Sequence, residues 1–372
     1  MSESIAEYRA GFVEEPGYLD YAGVGPISHA VQQELTGHAE LFARARFGSL
    51  AQLAHEDARV RAAASALTRF PADQIVFQPS TSQGLMHALF GVTGDVLVSP
   101  AEFPSLPVAV QRAADALHVV TPVWLETDDG KVTPAGIRDQ LTDAVTAVAV
   151  SLVDSRTGYV ADLDGIRQVI GDRLLIVDAI QGFGVVDAPY EVADVVATGG
   201  QKWVRAGWGT GFLALSDRAL AEITPVFTGW TGTDVVEPWD AVPPYSRSAH
   251  AFTVSNPDRV AQACFATALE EIARVGVPEI SAAVSELAER VIDLADEYGI
   301  PVASSRAANE RAGIVVIEPE PDTLTRLTAS LHNHGVTTRA RGSHVRISVH
   351  AGTTEDTLAM LRGAFTSYSN GY

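Results

Sequence analysis

From about residue 75 to residue 216, short apolar and β-branched runs alternate with amphipathic stretches. The runs are IVFQPS (75–80), DVLVSP (95–100), HVVTPVWL (118–125), TAVAVSLVD (146–154), LLIVDAI (174–180), ADVVATGG (193–200) and GFLALS (211–216). Between several of them, residues 106–117, 134–141 and 163–170 place apolar side chains at helical spacing. Continuous apolar strands alternating with helices predict a mostly parallel sheet covered on both faces. Upstream, 29–47 and 50–68 read as helices. The stretch TGWTGTDVVEPWDAVPPYSRS (228–248) follows neither period and predicts a long functional loop or interdomain passage. Beyond it come two helical patterns (258–275 and 279–298) and the strand GIVVIEP (313–319). A helix around 322–334, the strands TTRAR (337–341) and HVRISVH (344–350), and a last helix from about 354 complete the chain. That order predicts a second, smaller α+β domain.

Charge changes the picture by exclusion. Twenty-six basic residues against 46 acidic ones leave a net charge of −20, which repels nucleic-acid backbones and anionic membrane surfaces. One cysteine, Cys264, rules out an intrachain disulfide and a cysteine-rich metal site. His344 and His350 lack metal-ligand spacing, so no metal is expected. The opening MSESIAEYRAGFVEE has the marks of neither a signal nor a transit peptide, and no apolar run reaches the roughly 18 residues of a membrane span. The expectation is a soluble, cytoplasmic protein. Only two of the basic residues are lysines, Lys131 and Lys202. Chemistry that needs an amine has two side chains to choose from.

In doubly wound sheets ligands bind outside the carboxyl ends of the strands, so the residues after each strand are the candidates. Lys202 follows ADVVAT and two glycines and precedes Trp203. A lysine in such a setting has its pKa lowered by burial, as a Schiff-base lysine requires, unless it snorkels to solvent or forms a structural ion pair. Lys131, in DDGK, sits in an exposed turn. Asp178 ends a buried strand and either caps the next segment or faces a cation such as a protonated pyridine nitrogen. Gln181 lies three residues on. Ser80, Thr81, Ser82 and Gln83 precede a helical pattern, which suits a plain N-cap or a phosphate site. Phe103, in EFPS, packs in the core or stacks on a flat ligand. In HVRISVH, alternation sets Arg346, Ser348 and His350 opposite Val345, Ile347 and Val349. Arg346 is then an edge-strand charge or a bidentate clamp for a carboxylate.

Taken in order, these segments resemble the aminotransferase class V family of fold-type I pyridoxal-5′-phosphate (PLP) enzymes, nearest its isopenicillin N epimerase-like and cysteine desulfurase-like branch. YLDYAGVGP (18–26) resembles the family's opening, PSTSQGL its phosphate turn, and EFPS its ring-stacking segment. VDAIQGFG followed by GGQKWVRAGWGTGFLALS resembles its Asp-x-x-Gln and lysine pattern, with 202 − 178 = 24 residues between the acid and the amine. TGWTGTDV and FTVSNPD resemble the segments by which a partner subunit completes the phosphate site, and HVRISVHAGTTED its C-terminal Arg-x-Ser strand.

The resemblance implies an N-terminal segment (1–25) near the active site, a large PLP-binding domain (26–250) and a small C-terminal domain (251–372). It implies that Lys202 is the Schiff-base lysine and proton shuttle and that Asp178 pairs with the pyridine nitrogen. Gln181 would bond the phenolic oxygen, Thr81 and Ser82 the phosphate, and Phe103 would stack on the ring. Arg346 would take the substrate carboxylate, with Arg339 and Arg341 as competitors. Asn256 and Thr233 would reach the phosphate of a neighbouring subunit, giving a homodimer with shared sites. Gln201 stands where the family usually has histidine and so alters the phosphate shell. Ser155 stands for an asparagine near the phenolic oxygen. Phe103 stands where desulfurases and selenocysteine lyases have a histidine. Cys264 falls in a helical pattern, well before the late loop that carries a desulfurase nucleophile, which argues against persulfide formation.

The implied function is a PLP enzyme acting on an amino-acid substrate, with transamination as the first reading. Cβ-eliminating lyase chemistry (C–S or C–C, without a persulfide) is the alternative. A nicotinamide oxidoreductase would need G-x-G-x-x-G after a strand, and Gly182-Phe183-Gly184 lacks the third glycine. A catalytically idle binding scaffold is disfavoured by the joint presence of Lys202, Asp178 and Gln181.

Overall fold

The computed structural model describes residues 3–45, 48, 50–236 and 239–370. The ends of the 1–25 and 251–372 segments, the last two residues of the 29–47 helix, and Glu237 and Pro238 of the long loop lie outside them. All seven apolar runs form strands of one sheet: β1 Ile75–Phe77, β2 Gly94–Val98, β3 Val120–Trp124, β4 Val145–Ser151, β5 Leu174–Asp178, β6 Val195–Gly199 and β7 Gly211–Leu215. Their order across the sheet is β1-β7-β6-β5-β4-β2-β3. Six strands share one direction, and β7 runs antiparallel to both of its neighbours, β1 and β6. The sheet is thus mixed and mostly parallel. Every residue of β5, β6 and β7 is buried, as strands covered on both faces must be.

The smaller sheet, in the order β8-β10-β9, comprises β8 Ile314–Ile317, β9 Arg339–Arg341 and β10 His344–Ser348, all antiparallel. It packs on the long helix Val277–Glu297 and on Glu355–Ser369 through Leu287, Val291, Val315, Ile347 and Phe365. The result is the expected α/β architecture, a large sheet domain with a smaller C-terminal α+β unit. Among the described residues, no helix is long and apolar enough to cross a membrane.

Two local differences from the sequence pattern have plain causes. The 50–68 helix is a 3-10 turn over Leu50–His55 followed by an α-helix over Glu56–Thr68. Glu56 and Asp57 open that α-helix, where acidic side chains favour the dipole's positive end. The six-residue helices Ile5–Ala10 and Asp217–Glu222 are too short to show a period.

The N-terminal segment reaches both sheets. Tyr18 bridges Thr337 and Asp20 bridges Ser348 in parallel pairings. The Gly25 amide donates to the Gln201 carbonyl at 2.8 Å. Arg205, buried and in the left-handed region (φ 61°), locks the same segment to the turn after β6. Its guanidinium donates to Glu14 Oε2 (2.6 Å) and lies 3.5 Å from the Phe12 ring centroid, while its own amide donates to the Lys202 carbonyl (3.1 Å). Removing one partner of a buried ion pair leaves the other charge uncompensated. Arg205→Met is therefore expected to destabilise the protein by about 3–5 kcal/mol. Urea denaturation checks this, and a loss below about 1 kcal/mol would show that the segment is held elsewhere.

Candidate active site

The carboxyl ends of β1, β2, β5 and β6 converge on a cavity of about 430 Å³. Its lining includes Ser80, Thr81, Ser82, Phe103, Asp178, Gln181, Gln201, Lys202, Arg339 and Arg346. Thr81, Ser82, Phe103, Asp178, Gln181, Gln201, Lys202, Arg339 and Arg346 are thus brought together from four strand ends and the small sheet.

Lys202 sits just past β6 and is 9% exposed. The turn that carries it approaches the N-terminal segment so closely that a Cβ at Gly25 would fall 2.1 Å from the Lys202 carbonyl oxygen, so only glycine fits there. The next residue, Trp203, is buried and donates its indole N–H to Gln181 Oε1 at 2.8 Å, which anchors the turn. The ammonium lies 5.2 Å from the Phe103 ring centroid. Burial pushes the Lys202 amine down to about 8, against the opposing attraction of Asp178.

Asp178 is fully enclosed at the end of β5. Its Oδ1 accepts from the Ile180 amide at 3.0 Å, while Oδ2 has no partner among the described residues. Burial raises the carboxyl to about 6, with the Ile180 amide and Lys202 pulling the other way. Gln181 donates to the Ala22 carbonyl at 3.1 Å, leaving a second amide hydrogen.

Two helices begin at this cavity, Thr81–Leu89 and Ser105–Leu117. Ser80 caps the first by accepting from the Gln83 amide, and the hydroxyls of Ser82 and Ser105 lie 2.7 Å apart between the two. Thr81 Oγ1 is buried without a partner among the described residues, close to the Gln201 side chain across Gly199. Free amides and hydroxyls at helix starts form an anion site.

On the opposite wall Arg346 is buried and cross-tied. Its guanidinium donates to the Ser155 carbonyl (3.1 Å) and to Asp20 Oδ1 (3.1 Å), and its Nε has no partner among the described residues. Arg339 donates to Asp20 Oδ2 from Nε (3.2 Å) and from a terminal nitrogen (3.0 Å).

One expected residue, Ser155, is placed elsewhere, and two others, Thr233 and Asn256, were expected at a neighbouring subunit's site. Ser155 does not line the cavity and serves Arg346 through its backbone carbonyl, because the turn after β4 passes behind that guanidinium. Thr233 and Asn256 line a separate cavity of about 580 Å³ beside the edge strand β1 and do not meet Lys202 within the chain. Residues that sequence reasoning missed include Asp20, Glu102 and Trp208. Glu102, one residue before Phe103, is buried, accepts from the Ser151 amide (3.0 Å) and is raised by burial to about 7. Its signal was its place in EFPS. Asp20 gave none, since its partners lie more than 300 residues away.

Three residues of one lining, Thr81, Asp178 and Arg346, each carry a buried polar atom (Oγ1, Oδ2 and Nε) without a partner among the described residues, and the same cavity holds a low-pKa amine and an aromatic ring. That set fits a phosphorylated pyridine aldehyde and an amino acid's carboxylate. The lowered Lys202 pKa has its own test, independent of any cofactor. Acetic anhydride labelling of the cofactor-free protein is expected to rise with a midpoint near pH 8 at Lys202, because only the neutral amine reacts. With Lys131 as the one other lysine, peptide mass mapping is unambiguous, and a midpoint above pH 10 would remove burial as the activating cause.

The profile of the family described as Aminotransferase class-V matches residues 18–371. No curated protein sequence matches the chain. Solved structures do. The apo cysteine desulfurase of Thermococcus onnurineus NA1 has a TM-score of 0.85 at 19% identity over 96% of this chain and 95% of that one. The cystine C–S lyase C-DES, in complex with its reaction product cysteine persulfide, has a TM-score of 0.83 at 18% identity over 94% and 97%. The Escherichia coli cysteine desulfurase CsdA has a TM-score of 0.83 at 17% identity over 99% of each. At such identities the likeness shows the fold, and the family match covers nearly the whole chain. The chain belongs to the class-V aminotransferase family of fold-type I pyridoxal-phosphate enzymes.

Proposed function

We propose that this protein is a PLP-dependent lyase that expels a substituent from Cβ of an amino acid. The observation that carries the PLP reading is the buried Lys202 amine facing the same cavity as the unpartnered Asp178 Oδ2. When bound, the cofactor supplies an electron sink for the charge left on Cα after its proton departs. Lys202 would hold the cofactor, and its Nζ would take the Cα proton of the substrate. Asp178 Oδ2 keeps a proton on the ring nitrogen, Thr81 and Ser82 with the two helix starts take the phosphate, and Phe103 packs on the ring face. Gln181 has its second amide hydrogen available for the phenolic oxygen. Arg346 offers its Nε to the substrate carboxylate. Gln201, beside Thr81, stands at the phosphate end.

Elimination replaces transamination as the preferred outcome. The similar solved structures are named as cysteine desulfurases and a C–S lyase, names that describe carbon–sulfur cleavage. Cys264 narrows the reading further. It is buried in the helix Arg259–Val275, away from the cavity, and burial raises its thiol to about 11. The chain therefore offers no thiolate to receive sulfur. The net reaction would move the Cα proton to Lys202 Nζ and break the Cβ–X bond with its electron pair on X; the enamine product would tautomerise to an imine, which takes up one water to give a keto acid and ammonia.

Borohydride reduction of the holoenzyme is expected to fix the cofactor on Lys202, read by peptide mapping. Incubation with an amino-acid panel is expected to release keto acid and ammonia in equal amounts. An adduct on Lys131, or keto acid formed without ammonia, would end the lyase reading.

We further propose a homodimer in which Thr233 and Asn256 reach the partner's phosphate site. The segment 230–245 exposes Trp230, Val236, Trp239, Val242 and Tyr245, apolar side chains of the kind that line contacts between subunits. Sedimentation of the holoenzyme is expected to give the mass of two chains. A single-chain mass with cofactor bound and turnover intact would overturn this.

A further inference from the structure

The α-carboxylate of an amino acid needs one arginine, and this cavity has three. In the β9–β10 pairing Arg346 stands directly across from Arg339, and Arg341, two residues along β9, shares Arg339's face. All three line the cavity that holds Lys202. Like charges directly opposite on neighbouring strands repel, so such an arrangement calls for compensation. The compensation present is a single carboxylate. Asp20 spans the pair, accepting from Arg346 through Oδ1 and from Arg339 through Oδ2. Three guanidinium groups less one carboxylate leave two positive charges. One belongs to the Arg346–Asp20–Arg339 group, whose buried Arg346 Nε has no partner. The other is Arg341, which forms no ion pair or side-chain hydrogen bond among the described residues. Charged residues are common on edge strands because they discourage strand addition. That accounts for arginines on β9, but not for their facing the amine's cavity or for the bare nitrogen on buried Arg346.

Resting on the PLP reading above, we propose that the substrate is an amino acid whose side chain bears a second anionic group, a carboxylate, sulfinate or sulfonate. Arg346 takes the α-carboxylate. Arg341, with Arg339 beside it, takes the distal anion. Asp20 occupies Arg339 and one arm of Arg346, which leaves Arg341 as the free cation of the three among the described residues.

The test titrates the cofactor's visible absorbance in the holoenzyme with matched amino acids. L-Aspartate and L-cysteine sulfinate are the acidic probes; L-asparagine and L-alanine are the neutral ones. A charge-assisted contact of this kind is worth on the order of ten- to a hundredfold in affinity. The acidic probes are expected to half-saturate at concentrations lower by at least about tenfold. Arg341→Gln is expected to collapse the aspartate-to-asparagine ratio toward one, and Arg341→Lys to restore part of it, since charge without the fork remains. Equal half-saturation by aspartate and asparagine in the wild type, or a ratio that survives Arg341→Gln, overturns the distal-anion assignment and leaves the PLP reading intact. No spectral response to any of the four, with cofactor bound at Lys202, overturns the amino-acid reading itself.

Discussion

The rest of the site depends on one amine kept out of water. An ammonium loses several kcal/mol of solvation when it is buried, and the protein meets that cost by letting the amine become neutral more easily. Asp178 lies near enough to attract Lys202 but spends its one hydrogen bond on Ile180, so it moderates the effect without cancelling it. The surrounding residues keep the lysine turn in place. Trp203 is pinned to Gln181, Gly25 lets the N-terminal segment lie against the lysine carbonyl, and Arg205 holds the segment there. Each of these contacts acts on the backbone around Lys202 and leaves its side chain free.

The cavity is polarised along its length. At one end, helix starts and hydroxyls present hydrogen-bond donors with little formal charge. At the other, guanidinium groups supply full positive charge, tempered by Asp20. A ligand with anions at both ends and a flat, polarizable middle is oriented by these two fields before any bond forms. Donors held by the backbone need no reorganisation to receive it.

Much of this was legible in the sequence, because local pattern and strand-end position are local properties. All seven apolar runs of the large sheet became strands, and the residues after β1, β2, β5 and β6 met at one cavity, as the geometry of a parallel sheet requires. Alternation in HVRISVH placed Arg346 on the cavity side. The misses share a cause. Asp20 and Arg205 act through partners distant in the chain, and such contacts leave no period to read. Ser155 was assigned by its side chain but works through its carbonyl, a group every residue has.

The N-terminal segment's pairing with β10 also constrains when the site can form. Asp20 and Ala22 find their partners at Arg346 and Ser348, 326 residues further on. On the ribosome the first of these emerges long before the last. The large sheet, closed by β7 at residue 215, can assemble while the chain is still growing. The arginine wall opposite Lys202 cannot. The amine's surroundings are therefore completed only once residues 339–348 have emerged, so a growing chain that has not reached them carries the lysine without the wall that faces it.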